Sequence, residues 1–81
     1  MKIIIYTTKA CPWCNVVKDY LTYKGAQYEE YNIQENNEKE VEMVEKSGQT
    51  NVPVIDIDGK IIVGFDQETI DTCLHEQASE E

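Results

Sequence analysis

The sequence predicts an α/β fold, a mixed four-stranded sheet with helices on both faces. Three observations predict it. Four short runs rich in β-branched residues have strand length, and three amphipathic stretches separate or follow them. Their order reads βαβ, then α, then a ββ hairpin, then α; a strand–helix–strand start implies a right-handed crossover and parallel pairing, whereas a two-residue turn forces an antiparallel pair. At 81 residues the chain suffices for one core and not for two. The expected domain spans residues 1–77, with 78–81 a frayed acidic tail.

Lys2-Ile3-Ile4-Ile5-Tyr6 is the first strand, apolar enough to be buried. The helix after it opens at Cys11-Pro12-Trp13-Cys14, where Pro12 suits the first turn because its missing N–H would have no partner there. Val16, Val17, Tyr20 and Leu21 recur at helical spacing, and Gly25 stands where a C-cap falls. Residues 27–33 alternate as a second strand with Tyr31 and Ile33 on one face. Asn36 or Asn37 caps a surface helix whose narrow apolar stripe is Val41, Met43 and Val44, and Ser47-Gly48 ends it. Residues 52–57 and 60–63 form the third and fourth strands, joined by Asp58-Gly59, a tight-turn pair. Gly64-Phe65-Asp66 interrupts the pattern, with Asp66 placed to cap the last helix; that helix buries Ile70, Cys73 and Leu74 and dissolves from Gln77 onward.

The formal charge of −9 argues against nucleic acid and against an anionic membrane surface as partners. Its plain reading is a solvated helix face plus the tail, supported by the i,i+4 pairs Glu35–Lys39 and Glu42–Lys46; its functional reading is choice of a partner protein. The longest apolar runs are strand-sized, so no membrane span is expected, and the N-terminus enters the first strand without a basic segment or apolar leader, which reads as cytoplasmic. A monomer is expected. Three cysteines are too few for a secreted disulfide scaffold. Cys73, the one outside the CxxC pair, reads as a small core residue, with a regulatory or dimerising thiol as the alternative.

The chemistry lies in the CxxC pair. Cys11 sits at a helix mouth, where unpaired N–H groups and the helix dipole favour an anion and so the thiolate. Cys14, three residues on, falls on nearly the same side of the helix, within reach of a disulfide. This is a dithiol redox site, with Cys11 the nucleophile and Cys14 the resolving thiol in thiol–disulfide exchange. No metal is expected: half a zinc site needs two more ligands, and the candidates Cys73 and His75 are two residues apart on one helix and face different sides. His75 reads as a surface residue and Trp13 as exposed.

A CxxC beside a βαβ pattern suggests a thioredoxin-like redox motif. In detail the chain resembles the glutaredoxins. Cys11-Pro12-Trp13-Cys14 matches their CP-aromatic-C motif, Asn51-Val52-Pro53 their TVP loop, and Val63-Gly64-Phe65-Asp66 their GG-x-D turn, in the same order over nearly the whole chain. The resemblance implies a thioredoxin-like fold, a cis bond between Val52 and Pro53, and a dithiol oxidoreductase that reduces protein disulfides and glutathione mixed disulfides with glutathione as electron source. It places glutathione against Lys9, Pro12, Trp13, Val52, Pro53, Gly64, Phe65 and Asp66, with main-chain pairing at Val52 and a carboxylate at the N–H groups of Phe65 and Asp66. The chain departs from the family at Thr8 and Thr50, where basic residues often hold glutathione carboxylates, and at Asn51 and Val63; Lys9 is the nearest substitute for the first. The alternative electron source is thioredoxin reductase, as for a ribonucleotide reductase-type donor. A different class is an iron–sulfur cluster carrier; Pro12 weighs against it, because cluster-binding relatives tend to carry a smaller residue there. No bound cofactor is expected; the partners implied are glutathione and disulfide-containing proteins.

Overall fold

A computed structural model of the chain describes residues 2–79, with side chains described through residue 75. The elements are β1 (Ile3–Thr7), α1 (Pro12–Tyr23), β2 (Glu29–Asn32), α2 (Asn37–Ser47), β3 (Val54–Ile57), β4 (Lys60–Val63) and α3 (Gln67–Ser79). The sheet order is β2-β1-β3-β4, with β1 and β2 parallel and the other two pairs antiparallel. This is the mixed sheet that the element order predicts.

β1 and β3 are buried at every position, and alternation divides their side chains between two cores. Ile3 and Ile5 join Ile55, Ile57 and Ile62 under Val17 and Leu21 of α1 and Ile70 and Cys73 of α3. Ile4, Tyr6 and Val54 face the other way, with Ile33 and Met43 of the α2 side. The register keeps like faces opposite, Ile3 against Ile57 and Ile5 against Ile55. The hairpin from β3 to β4 has Asp58 at φ 49° and Gly59 at φ 93°, the two positive values a type I′ turn requires and the reason a glycine stands there.

Several boundaries differ from expectation for identifiable reasons. β3 begins at Val54, not at residue 52, because Pro53 has no N–H to place in a ladder. The first helix ends on Lys24 as its C-cap, and Gly25 follows at φ 74°. α3 continues to Ser79, since no glycine or proline interrupts it; Glu80 and Glu81, part of the expected tail, lie outside the described residues. Val16 and Val41 are 40% and 49% exposed; Val17 and Met43 beside them take the core-facing positions. Asn36 is the N-cap of α2, which leaves Glu35 outside the helix, so the expected Glu35–Lys39 pair does not form. Lys39 instead pairs with Glu42 at 3.3 Å and stands 4.3 Å from the centre of the Tyr31 ring, while Glu42–Lys46 forms as expected at 3.6 Å. No helix among the described residues is long and apolar enough to cross a membrane.

With Met43 its only fully buried residue, α2 is also anchored by polar contacts to the sheet. Lys46 Nζ donates to the Tyr6 hydroxyl oxygen at 2.8 Å and to Asp56 at 2.7 Å, and the Tyr6 hydroxyl donates to Glu42. Burial, then the bond to Glu42, pushes the Tyr6 phenol up to about 12. Burial alone would pull the Lys46 ammonium down, but its bonds to Asp56 and Tyr6 outweigh that and hold it above its usual value. Both groups therefore keep their protons more firmly folded than unfolded, so their contribution is complete below the unfolded values and lost as pH rises. Stability to urea should fall as pH climbs from 10 toward about 12, the folded value of Tyr6, and Tyr6→Phe should make that loss shallower; an unchanged slope of the urea midpoint against pH would remove Tyr6 from the network's energetics.

Candidate active site

Three residues separate the buried end of β1 from Cys11, which emerges at the rim of the sheet as the N-cap of α1. An N-cap side chain normally offers an oxygen to the N–H groups of the first turn; here the acceptor is sulfur. The Cys14 N–H donates to Cys11 Sγ at 3.1 Å, and Pro12 occupies the first turn. Cys11 and Cys14 are joined as a disulfide with their Cα atoms 5.2 Å apart. Cys11 is half-buried and Cys14 is 1% exposed, so the pair has an accessible sulfur and an enclosed one.

The other predicted residues gather around this pair from two further loops. Val52–Pro53 is a cis peptide bond, as the resemblance implies. The Gly64 N–H donates to the Pro53 carbonyl at 2.8 Å, which fastens the end of β4 to the proline loop. Gly64 has φ 79°, a conformation that disfavours any side chain and explains the glycine in this turn. Phe65, next along, stacks on Trp13 with ring centres 6.2 Å apart and takes the edge of Tyr20 at 5.6 Å. Trp13 is 61% exposed, so this stack forms an open aromatic face beside the cysteines. Asp66 caps α3: its carboxylate accepts from the Thr69 N–H at 3.1 Å and from the Thr69 hydroxyl at 2.8 Å. The hydroxyl bond, then the N–H bond, holds the Asp66 carboxyl below its usual value.

Lys9 is exposed, and its main-chain N–H donates to Gln34 Oε1 at 3.1 Å, tying the loop before Cys11 to the loop after β2. Beneath α1, the Thr7 hydroxyl donates to Glu30 at 2.9 Å and Lys18 pairs with the same oxygen at 3.0 Å. Burial pushes the Glu30 carboxyl up, but the bonds from Lys18 and Thr7 outweigh it and hold it below the usual carboxylate range. Cys73 is buried in the core, and His75 is exposed on the same helix. Among the described residues no three His, Cys, Asp or Glu side chains are grouped to hold a metal ion.

Sequence reasoning overlooked Gln34 and Glu30, because each acts on a partner that folding brings near and that no motif marks. The Trp13–Phe65 stack was equally invisible, since 52 positions separate its rings in the chain.

The glutaredoxin family model matches residues 3–62. A glutaredoxin-like 8.6 kDa protein of the rubredoxin operon of Clostridium pasteurianum is 43% identical over 72 residues, which cover 89% of this chain and 96% of that protein. Glutaredoxin 3 of Escherichia coli K12 is 44% identical over 62 residues, covering 76% of this chain and 75% of its own. The solved structure of the glutaredoxin-like protein NrdH-redoxin of Escherichia coli, which has a thioredoxin-like activity profile, superposes with a TM-score of 0.79 at 26% identity, covering 89% of this chain and 93% of that one. The architecture is thioredoxin-like.

The difference in burial between the two sulfurs has a direct test. In the reduced protein at neutral pH, iodoacetamide should label Cys11 ahead of Cys14 and Cys73, as read by mass spectrometry of timed digests. First labelling at Cys14 or Cys73 would reverse the assignment of the accessible thiol.

Proposed function

The chain belongs to the glutaredoxin family, and from that premise we propose that it is a dithiol oxidoreductase that reduces protein disulfides and glutathione mixed disulfides, with glutathione as its reductant. The observation that carries this reading is the disulfide-linked pair at the start of α1, an accessible N-cap sulfur bonded to an enclosed one. The Cys11 thiolate attacks one sulfur of the substrate disulfide; a Cys11–substrate bond forms, the substrate S–S bond breaks, and the departing thiolate takes a proton from water. Cys14 then loses its proton and attacks Cys11 Sγ. The mixed disulfide breaks, the second substrate thiol leaves, and the substrate has gained two electrons while the protein holds the Cys11–Cys14 disulfide. Two glutathione thiols return the pair to the reduced state, leaving as glutathione disulfide.

The rim supports this substrate class. Val52 can pair its main chain with an extended substrate segment, the Trp13–Phe65 face offers apolar contact, and the start of α3 at Phe65–Asp66 can receive a carboxylate. Lys9 would take glutathione's other carboxylate. A second reading keeps the same exchange and replaces glutathione by thioredoxin reductase. Thr8 and Thr50 favour it, since they stand where related chains carry the cations that hold glutathione, and so does the likeness to a redoxin with a thioredoxin-like profile.

Cys11→Ser should abolish disulfide reduction, whereas Cys14→Ser should accumulate a mixed disulfide visible by mass; activity surviving in Cys11→Ser would overturn the assignment. For the electron source, reduction by glutathione with glutathione reductase is compared with reduction by thioredoxin reductase and NADPH. Turnover with glutathione is expected, and Lys9→Ala should raise its KM by about two- to fivefold, the size of one exposed ion pair. Reduction by thioredoxin reductase and NADPH alone would select the second reading.

A further inference from the structure

The side chain of Gln49 braces the loop that carries Val52. Its carboxamide meets both main-chain groups of Asn51: the Asn51 N–H donates to Oε1 at 2.5 Å, and Nε2 donates to the Asn51 carbonyl at 3.0 Å. Gln49 is itself fastened to the end of α2. Its Nε2 also donates to Ser47 Oγ at 3.2 Å, and the Ser47 hydroxyl donates to the Met43 carbonyl at 2.7 Å, with the Gln49 carbonyl 3.2 Å from the same hydroxyl oxygen. Met43 is fully buried against the sheet, so a continuous series of contacts runs from the core to Asn51.

A single carboxamide can take both the N–H and the C=O of one residue only where these point the same way, as in extended chain, and the groups of the next residue then point to the opposite edge. Gln49 thus does for Asn51 what a neighbouring strand residue would do. The proline after Val52 also disfavours helical backbone at that residue. Among the described residues, none takes the Val52 main-chain N–H or C=O. We propose that Gln49 is a positioning residue for substrate: by occupying Asn51 it fixes the edge on which Val52 presents its N–H and C=O to the extended main chain of a peptide disulfide. The proposal rests on the oxidoreductase reading above. It names the substrate class for which the loop is set, a disulfide borne on a peptide main chain, as distinct from a small disulfide with no main chain to pair.

The test compares a disulfide-bridged peptide with a small aromatic disulfide, 5,5′-dithiobis(2-nitrobenzoate), as oxidants of the reduced full chain. Gln49→Ala should raise KM for the peptide about five- to tenfold with kcat within about twofold, the scale of losing one or two neutral hydrogen bonds. The ratio of peptide to small-disulfide kcat/KM should fall by the same factor. Gln49→Glu keeps the acceptor for the Asn51 N–H and loses the donor to its carbonyl, so it should fall between the wild type and Gln49→Ala. An unchanged peptide KM, or equal losses for both disulfides, would overturn the proposal. A wild type that is oxidised by neither compound would overturn the oxidoreductase reading first, which is a distinguishable result. Should Gln49→Ala fail to fold, amide exchange of the wild type decides: the Asn51 N–H should exchange more slowly than that of Val52, and equal rates would overturn the proposal.

Discussion

The burial of β1 on both faces is the constraint on which the site depends. All five of its residues are enclosed, Ile3 and Ile5 toward α1 and α3, Ile4 and Tyr6 toward α2, and the strand is flanked by a parallel and an antiparallel neighbour. A strand fixed on four sides cannot shift register without turning its whole apolar set to the wrong face. Its end is therefore a fixed point, and only three residues lie between that point and Cys11, the N-cap of α1. Cys11 is delivered to the rim by this short tether, and Cys14 is drawn inward by the same helix that packs Val17 and Leu21 on the sheet. The unequal exposure of two chemically identical thiols follows from helical geometry acting on a helix whose inner face is already committed.

Around that fixed point the remaining segments are joined by a few directional contacts. The Gly64–Pro53 hydrogen bond binds the loop that enters β3 to the loop that leaves β4, side by side at the open end of the hairpin, and the Trp13–Phe65 stack binds that pair to α1. The stack leaves Trp13 mostly in solvent, so apolar surface remains exposed beside the cysteines. The other side of the rim is braced by polar contacts, Gln34 on Lys9 and Gln49 on Asn51. A main chain braced in this way around Cys11 suits the proposed thiol–disulfide exchange, in which three sulfurs must align.

Charge is arranged with the same economy. Lys18, Lys24, Lys39 and Lys46 are each paired with a carboxylate inside the fold, so much of the chain's limited cationic charge serves structure. Lys46 in particular replaces the apolar contacts that α2 lacks, holding the helix to Tyr6 and Asp56 of the sheet. Lys9, exposed beside Cys11, makes no ion pair among the described residues, on a chain whose net charge is −9. Under the proposed function, an anionic ligand would meet Lys9 together with the main-chain N–H groups at the start of α3 and at Val52.

The sequence alone determined the number, type and order of the elements, because hydrophobic period and turn chemistry are local: the β-branched runs, the Asp58-Gly59 turn, the caps at Asn36 and Asp66, and Cys11-Pro12 at a helix mouth are all written within a few residues. It also determined that Cys11 and Cys14 are neighbours, since helical spacing suffices. Tertiary structure decided what depends on residues far apart in the chain. That Met43 and not Val41 anchors α2, that Lys39 turns to Glu42 and Tyr31, that β3 starts only after Pro53, and that Phe65 lies against Trp13 are outcomes of packing one element on another. Gln49 illustrates the division best: its partner is two residues away, yet its carboxamide can reach both groups of Asn51 only because Gly48 ends α2 in a left-handed turn and α2 itself is held by the sheet. Local propensity specifies which backbone shapes a segment can adopt, and only the assembled core specifies which side chains those shapes bring together.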